Sequence, residues 1–140
     1  MGANEDRKRD MPHLANVRSH AVIGAAIEVH RALGPGFLES VYEESLCMEL
    51  YDRGIPFTRQ CEVIIRYKSR DVGMGRMDLL VDNTLIVELK AVDALAPIHT
   101  AQLLSYLRTT GYPLGLLINF NAVILKDGIR RIILSPIPPS

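Results

Sequence analysis

Apolar positions recur at helical spacing early in the chain and later fall into strand-like alternation and unbroken runs. From about Leu14 to Leu33, the residues Val22, Ile23, Ala26, Ile27 and Val29 fit one stripe of a helix, and Gly34-Pro35-Gly36 stops it. A second helix is predicted from about Leu38 to Arg53, with Leu38, Val41, Tyr42, Leu46 and Leu50 at helical spacing and Gly54 at its C-terminal stop. The pair reads as a helical hairpin. Phe57 to Tyr67 is β-rich, with Val63, Ile64 and Ile65 in its middle, and Gly73 to Gly75 permits a turn. Met77 to Val81 and Leu85 to Val92 are two further strands around Asp82-Asn83-Thr84, a hairpin turn signal.

A third helix is predicted from about Pro97 to Thr110, opened by proline in its first turn and ended by Gly111. Leu114 to Phe120 is a nearly continuous apolar run, the pattern of a strand buried on both faces. Asn121 to Leu134 supplies one more strand or a hairpin around Asp127-Gly128. The order helix, helix, three strands, helix, strand, strand predicts one α/β domain over residues 14–135. Residues 1–13 lack periodicity and read as a mobile tail, and residues 136–140 form a Pro-rich end.

Composition sharpens this picture by exclusion. At 140 residues, with 48% hydrophobic and 23% charged residues, the chain suits one globular domain rather than a disordered segment. No run of eighteen apolar residues occurs and Met1 to Met11 is unlike a signal peptide, so no membrane span and a cytoplasmic location are expected. Two cysteines, Cys47 and Cys61, offer neither a disulfide framework nor a metal-knuckle spacing. The net charge of +0 gives no general pull toward nucleic acid. Arg66, Lys68 and Arg70 alternate along a predicted strand and offer a local strip for phosphate.

The hairpin from Met77 to Val92 carries the candidate chemistry. Reflecting the chain about Asn83 brings Asp78 opposite Glu88, and directly opposed residues have Cβ atoms roughly 4.5 to 5.5 Å apart, near enough to share an ion. Lys90, two positions beyond Glu88, falls on the same face. Three charges gathered on one strand surface among apolar neighbours are costly unless they pair with one another or bind metal. Gln102 and Tyr106 are four apart on the third helix and share a face, with His99 on the same side. His13, His20 and His30 have no zinc spacing.

Asp78 followed by Glu88-Leu89-Lys90 resembles the D…(D/E)XK signature of the PD-(D/E)XK nuclease superfamily, with Met77 where that signature names a proline. Gln102 to Tyr106 resembles the QxxxY motif of its RecB-like branch, and Gly36 to Tyr42 resembles the GxxExxY motif that names a bacterial family within it. The resemblance runs from about His20 to Ile133.

It implies a restriction-endonuclease-like α/β core, a central mixed sheet of four or five strands flanked by helices. It also implies Mg²⁺ or Mn²⁺ held by Asp78, Glu88 and the helical Glu39, with Glu43 as substitute if Glu39 caps its helix. Lys90 would orient or help deprotonate a water, or neutralise the phosphate. Gln102 and Tyr106 would position Lys90, the water or the nucleic-acid backbone. The implied activity is hydrolysis of phosphodiester bonds in DNA, with RNA second. The partner is then nucleic acid, and a homo-oligomer would help so small a domain hold a duplex. The rival reading is a non-catalytic nucleic-acid-binding or assembly module that keeps the fold. A hydrolase acting on small phosphoesters is a third.

Overall fold

A computed structural model describes residues 3–135, with side chains described over 10–135. Helices α1 (Ala3–Leu33) and α2 (Glu39–Asp52) precede strands β1 (Phe57–Tyr67), β2 (Arg70–Val81) and β3 (Leu85–Lys90). Helix α3 (Pro97–Thr110), strand β4 (Leu114–Asn119), a 3₁₀ turn (Leu125–Gly128) and strand β5 (Ile129–Ile133) follow. The five strands form one sheet in the order β1-β2-β3-β4-β5. Only β3 and β4 run parallel, joined by α3 as the crossover helix, so the sheet is mixed. The expected α/β architecture is therefore the observed one.

Both faces of the sheet are covered. Leu79, Val81, Leu85, Val87, Leu89, Leu116 and Ile118 pack with Val22, Ala26, Tyr42, Leu46 and Leu50 of α1 and α2. Leu80, Ile86 and Leu117 face Leu103, Tyr106 and Leu107 of α3. This two-sided burial explains why β3 and β4 read as unbroken apolar runs. It also explains Gly115, where a Cβ would lie 2.8 Å from a methyl carbon of Leu103.

The hairpin loop after β2 is a tight turn. Asp82 and Asn83 both take left-handed φ, 49° and 52°, and the Thr84 N–H donates to Val81 O at 3.0 Å. Short polar side chains tolerate that conformation. An Arg18–Asp82 ion pair at 2.9 Å ties the turn to α1. The resulting register pairs Leu79 with Val87, Leu80 with Ile86 and Val81 with Leu85.

Two boundaries differ from expectation. Helix α1 starts at Ala3, so the stretch expected as a tail before Leu14 is helical and continues through Pro12. Those residues lack an apolar stripe, and Ala3, Glu5, Arg7, Lys8 and Arg9 among them favour helix without needing a core. The turn expected at Gly73–Gly75 lies instead at Lys68-Ser69, with φ of 50° and 64°, and both glycines sit inside β2. That turn also separates Arg66, Lys68 and Arg70, which do not share one strand face, and Arg66 is paired with Asp71 at 2.9 Å. Asn121 to Leu134 holds a 3₁₀ turn and the single strand β5, the first of the two forms expected for this stretch. Met1, Gly2 and the Pro-rich end at 136–140 lie outside the described residues. Among the described residues no helix is long and apolar enough to cross a membrane.

Candidate metal centre

The β2–β3 ladder stops one step short of Asp78 and Glu88. In place of a ladder bond the two strands exchange side chains: the Leu89 N–H donates to Asp78 Oδ2 at 2.8 Å, and the Asp78 N–H donates to Glu88 Oε2 at 3.4 Å. Each carboxyl thus reaches the backbone of the opposing strand, which fixes the two acids side by side. Alternation along β3 puts Glu88 on the α3 side with Ile86, whereas the alternation of β2 breaks at Asp78, where Met77 and Leu80 pack with the α3 core and Leu79 with the α1/α2 core.

Glu88 is 5% exposed, and its Oε1 is a buried oxygen without a hydrogen-bond partner among the described residues. Burial, then the adjacent Asp78 carboxyl, pushes its pKa up to about 9, against a smaller lowering by Lys90. Without a cation, Glu88 therefore holds a proton at neutral pH. An orphaned buried oxygen beside a second carboxylate is a set of hard donors that a Mg²⁺- or Mn²⁺-like ion would complete, so the residues fit such an ion.

Glu39 lies in the first turn of α2. Its pKa is raised by partial burial and then by the charge of Asp78, and lowered by Lys90, which places its carboxyl within the electrostatic reach of both. It does not join them in one cluster: among the described residues no three His, Cys, Asp or Glu side chains are arranged to hold a metal ion. Glu43, the expected substitute, is already engaged. Its Oε2 accepts from Arg59 at 2.7 Å and its Oε1 from Gln60 at 2.8 Å.

Lys90 ends β3 half-buried, beside Asn119 of β4. Asn119 is a residue that the apolar pattern of β4 concealed. It is 3% exposed; its Nδ2 donates to Val92 O at 2.8 Å, and its Oδ1 accepts from Val92 N at 3.1 Å and Asn121 N at 3.2 Å. A single amide thereby pins the chain where it leaves the strand bearing Lys90. The only signal in the sequence was one polar residue interrupting an apolar run just before Phe120.

On α3, Tyr106 is 8% exposed and its ring lies on Gly75, where a Cβ would meet ring carbon Cε1 at 2.7 Å. Gln102 is exposed and donates from Nε2 to Tyr106 Oη at a long 3.4 Å. Tyr106 therefore belongs to the core between α3 and β2. His99 caps its own helix, its Nδ1 accepting from the Ala96 N–H at 3.0 Å. Tyr42 is also structural: it donates to Gly34 O at 2.6 Å, accepts from the Phe37 N–H at 3.2 Å, and stacks on Phe120 at 4.7 Å. Burial pushes the Cys47 thiol up to about 11, which makes it a poor nucleophile.

A mixed five-stranded sheet between helices, with opposed Asp and Glu at the outer end of its central hairpin and a Lys two residues on, defines a restriction-endonuclease-like domain. The family model of the PD-(D/E)XK nuclease superfamily matches residues 16–132, and the chain belongs to that superfamily. A solved structure titled "Crystal structure of SSO0001" is similar in fold, with a TM-score of 0.50 and 21% identity over 71% of this chain. The match covers 50% of that structure, so this chain spans about half its length. No curated protein matches the chain.

Proposed function

We infer that the chain is a Mg²⁺- or Mn²⁺-dependent nuclease that hydrolyses phosphodiester bonds, with DNA the preferred substrate and RNA the second. The observation that carries this reading is the buried, unpartnered Oε1 of Glu88 beside Asp78, on the strand that ends in Lys90. Superfamily membership points the same way, since nucleases of this class generally use divalent ions.

Asp78 and Glu88 would hold the ion, with Glu39 as the third carboxylate within their electrostatic reach. A bound divalent cation supplies charge stabilisation at the scissile phosphate and lowers the pKa of the attacking water. Lys90 contributes a positive charge that would neutralise the phosphate and orient the water. Asn119 holds the strand exit so that Lys90 keeps its place. Gln102 is exposed and available to nucleic-acid backbone, whereas Tyr106 contributes through packing on Gly75.

The Gly36 to Tyr42 and Gln102 to Tyr106 segments support a place in the GxxExxY family and the RecB-like branch. A cytoplasmic homo-oligomer completes the reading. Two observations favour the alternative of a non-catalytic nucleic-acid-binding or assembly module: the net charge of +0, and three carboxylates that do not converge.

The test is a gel assay with Mg²⁺ or Mn²⁺ on single- and double-stranded DNA and RNA, for wild type and Glu88→Gln. Metal-dependent cleavage lost in a folded Glu88→Gln variant is expected. Binding without cleavage by wild type on all four substrates transfers the case to the non-catalytic module.

A further inference from the structure

Asp78 is missing from both of the ladders that flank it. On the β3 side pairing ends at Leu79 with Val87. On the β1 side Arg59 pairs with Leu79 and Cys61 with Met77, but Gln60 and Asp78, which the same register would oppose, do not pair. The cause is local to Gln60. Its φ is 52°, in the left-handed region that a residue with a long side chain rarely occupies within a strand.

Something outside the strand holds it there. In a regular strand Arg59 and Gln60 would point to opposite faces. Here both reach one carboxylate on α2, Arg59 Nη2 to Glu43 Oε2 at 2.7 Å and Gln60 Nε2 to Glu43 Oε1 at 2.8 Å. The consequence passes across both strands. Phe57 packs with the α1/α2 core whereas Cys61 and Val63 pack with the α3 core, and Leu79 and Met77 divide in the same way. Residues two or four apart would share a face in an undisturbed strand, so the ribbon rolls over at Gln60 and Asp78.

We propose that Glu43 and Gln60 are positioning residues for the ion-binding pair: Glu43 clamps Gln60 in its left-handed conformation, and the resulting break in β1–β2 pairing releases Asp78 from the ladder so that its carboxyl can be set beside Glu88. This rests on Asp78 and Glu88 being the ion ligands. It assigns Glu43 a role distinct from ligation, one turn along α2 from Glu39.

The clamp is tested in the full chain with Gln60→Val, Gln60→Gly, Glu43→Ala and the double variant Glu43→Ala/Gln60→Gly. Valine prefers regular extended backbone, whereas glycine adopts positive φ without a clamp. Mn²⁺ titration should show affinity weakened about tenfold or more in Gln60→Val and Glu43→Ala, the range seen when residues supporting metal ligands are removed. Gln60→Gly and the double variant should stay close to wild type. A cross-strand proton contact between positions 60 and 78 should emerge in Gln60→Val by NMR and be absent from Gln60→Gly. A merely structural role would lower stability and affinity together, without rescue by glycine. Wild-type affinity in Gln60→Val, or equal loss in the valine and glycine variants, overturns the clamp while the ion site stands. A wild type that binds no Mn²⁺ overturns the ion site itself, whatever the NMR contacts show.

Discussion

The hairpin of β2 and β3 has two halves made to different rules. In the half next to the turn, Leu79 to Val81 and Leu85 to Val87 are in register, all six residues are buried, and both faces meet apolar side chains. In the half beyond it, within two residues, the ladder opens, two carboxyls face each other, and a buried oxygen has no partner among the described residues. The same strands supply a saturated scaffold and a deliberately unsaturated end. In the proposed reading a cation would draw on the second half, because the first half holds the register that sets Asp78 and Glu88 side by side.

The largest expected effect breaks the scaffold. Leu116→Ala removes a fully buried side chain from the centre of the sheet. It should cost about 2–5 kcal/mol of stability, read by urea denaturation, because the surrounding strands cannot collapse into the void. Mn²⁺ affinity of the fraction that remains folded should change little. A specific loss of ion binding in that variant would show that the two halves are not separable.

The next prediction strikes the other half and leaves the scaffold alone. Lys90→Met keeps the length and apolar stem of the side chain but removes its charge. Turnover should fall by about a hundredfold, the scale of one acid–base or charge-stabilising group, while Mn²⁺ still binds. Steady-state kinetics beside a Mn²⁺ titration separates these, and unchanged turnover would remove Lys90 from the chemistry.

The comparison sharpens with pH. Glu88 moves from an ordinary 4.5 to about 9 on folding, mainly through burial. The folded state therefore keeps a proton that the unfolded chain releases. Its contribution is fully present below pH 4.5, declines as pH rises, and is gone once pH passes about 9. In the metal-free protein the melting temperature should drift downward over that window, roughly 4 °C for each kcal/mol lost. Glu88→Gln should flatten that drift, and Leu116→Ala should leave its slope unchanged.

Much of this contrast is legible in the sequence. The mirror about Asn83 followed from a turn-forming tripeptide between two apolar alternations, and it placed Asp78 against Glu88 in the register observed. Helix α3 was bounded by Pro97 and Gly111 because those two residues act locally. What escaped was controlled by distant partners. Gly75 resembles a turn residue until Tyr106 is seen lying on it. Gln60 looks like one more polar strand position, since its conformation depends on Glu43 of a preceding helix. Helical spacing shows which face the Glu43 carboxylate occupies but not that Arg59 and Gln60 have claimed it. Helix α1 began eleven residues before its first apolar stripe, at Ala3 rather than Leu14, because helix propensity alone leaves no periodic trace.

The most direct test of the central claim is calorimetric titration of Mn²⁺ into the wild-type protein near pH 7, repeated in buffers of different ionisation enthalpy. A protonated Glu88 facing Asp78 must give up its proton to become a ligand, so the account predicts saturable binding accompanied by release of about one proton. Glu88→Gln should lose both the binding and the proton. No saturable binding by wild type, or binding of undiminished strength in Glu88→Gln, would contradict an ion site built on these two carboxyls.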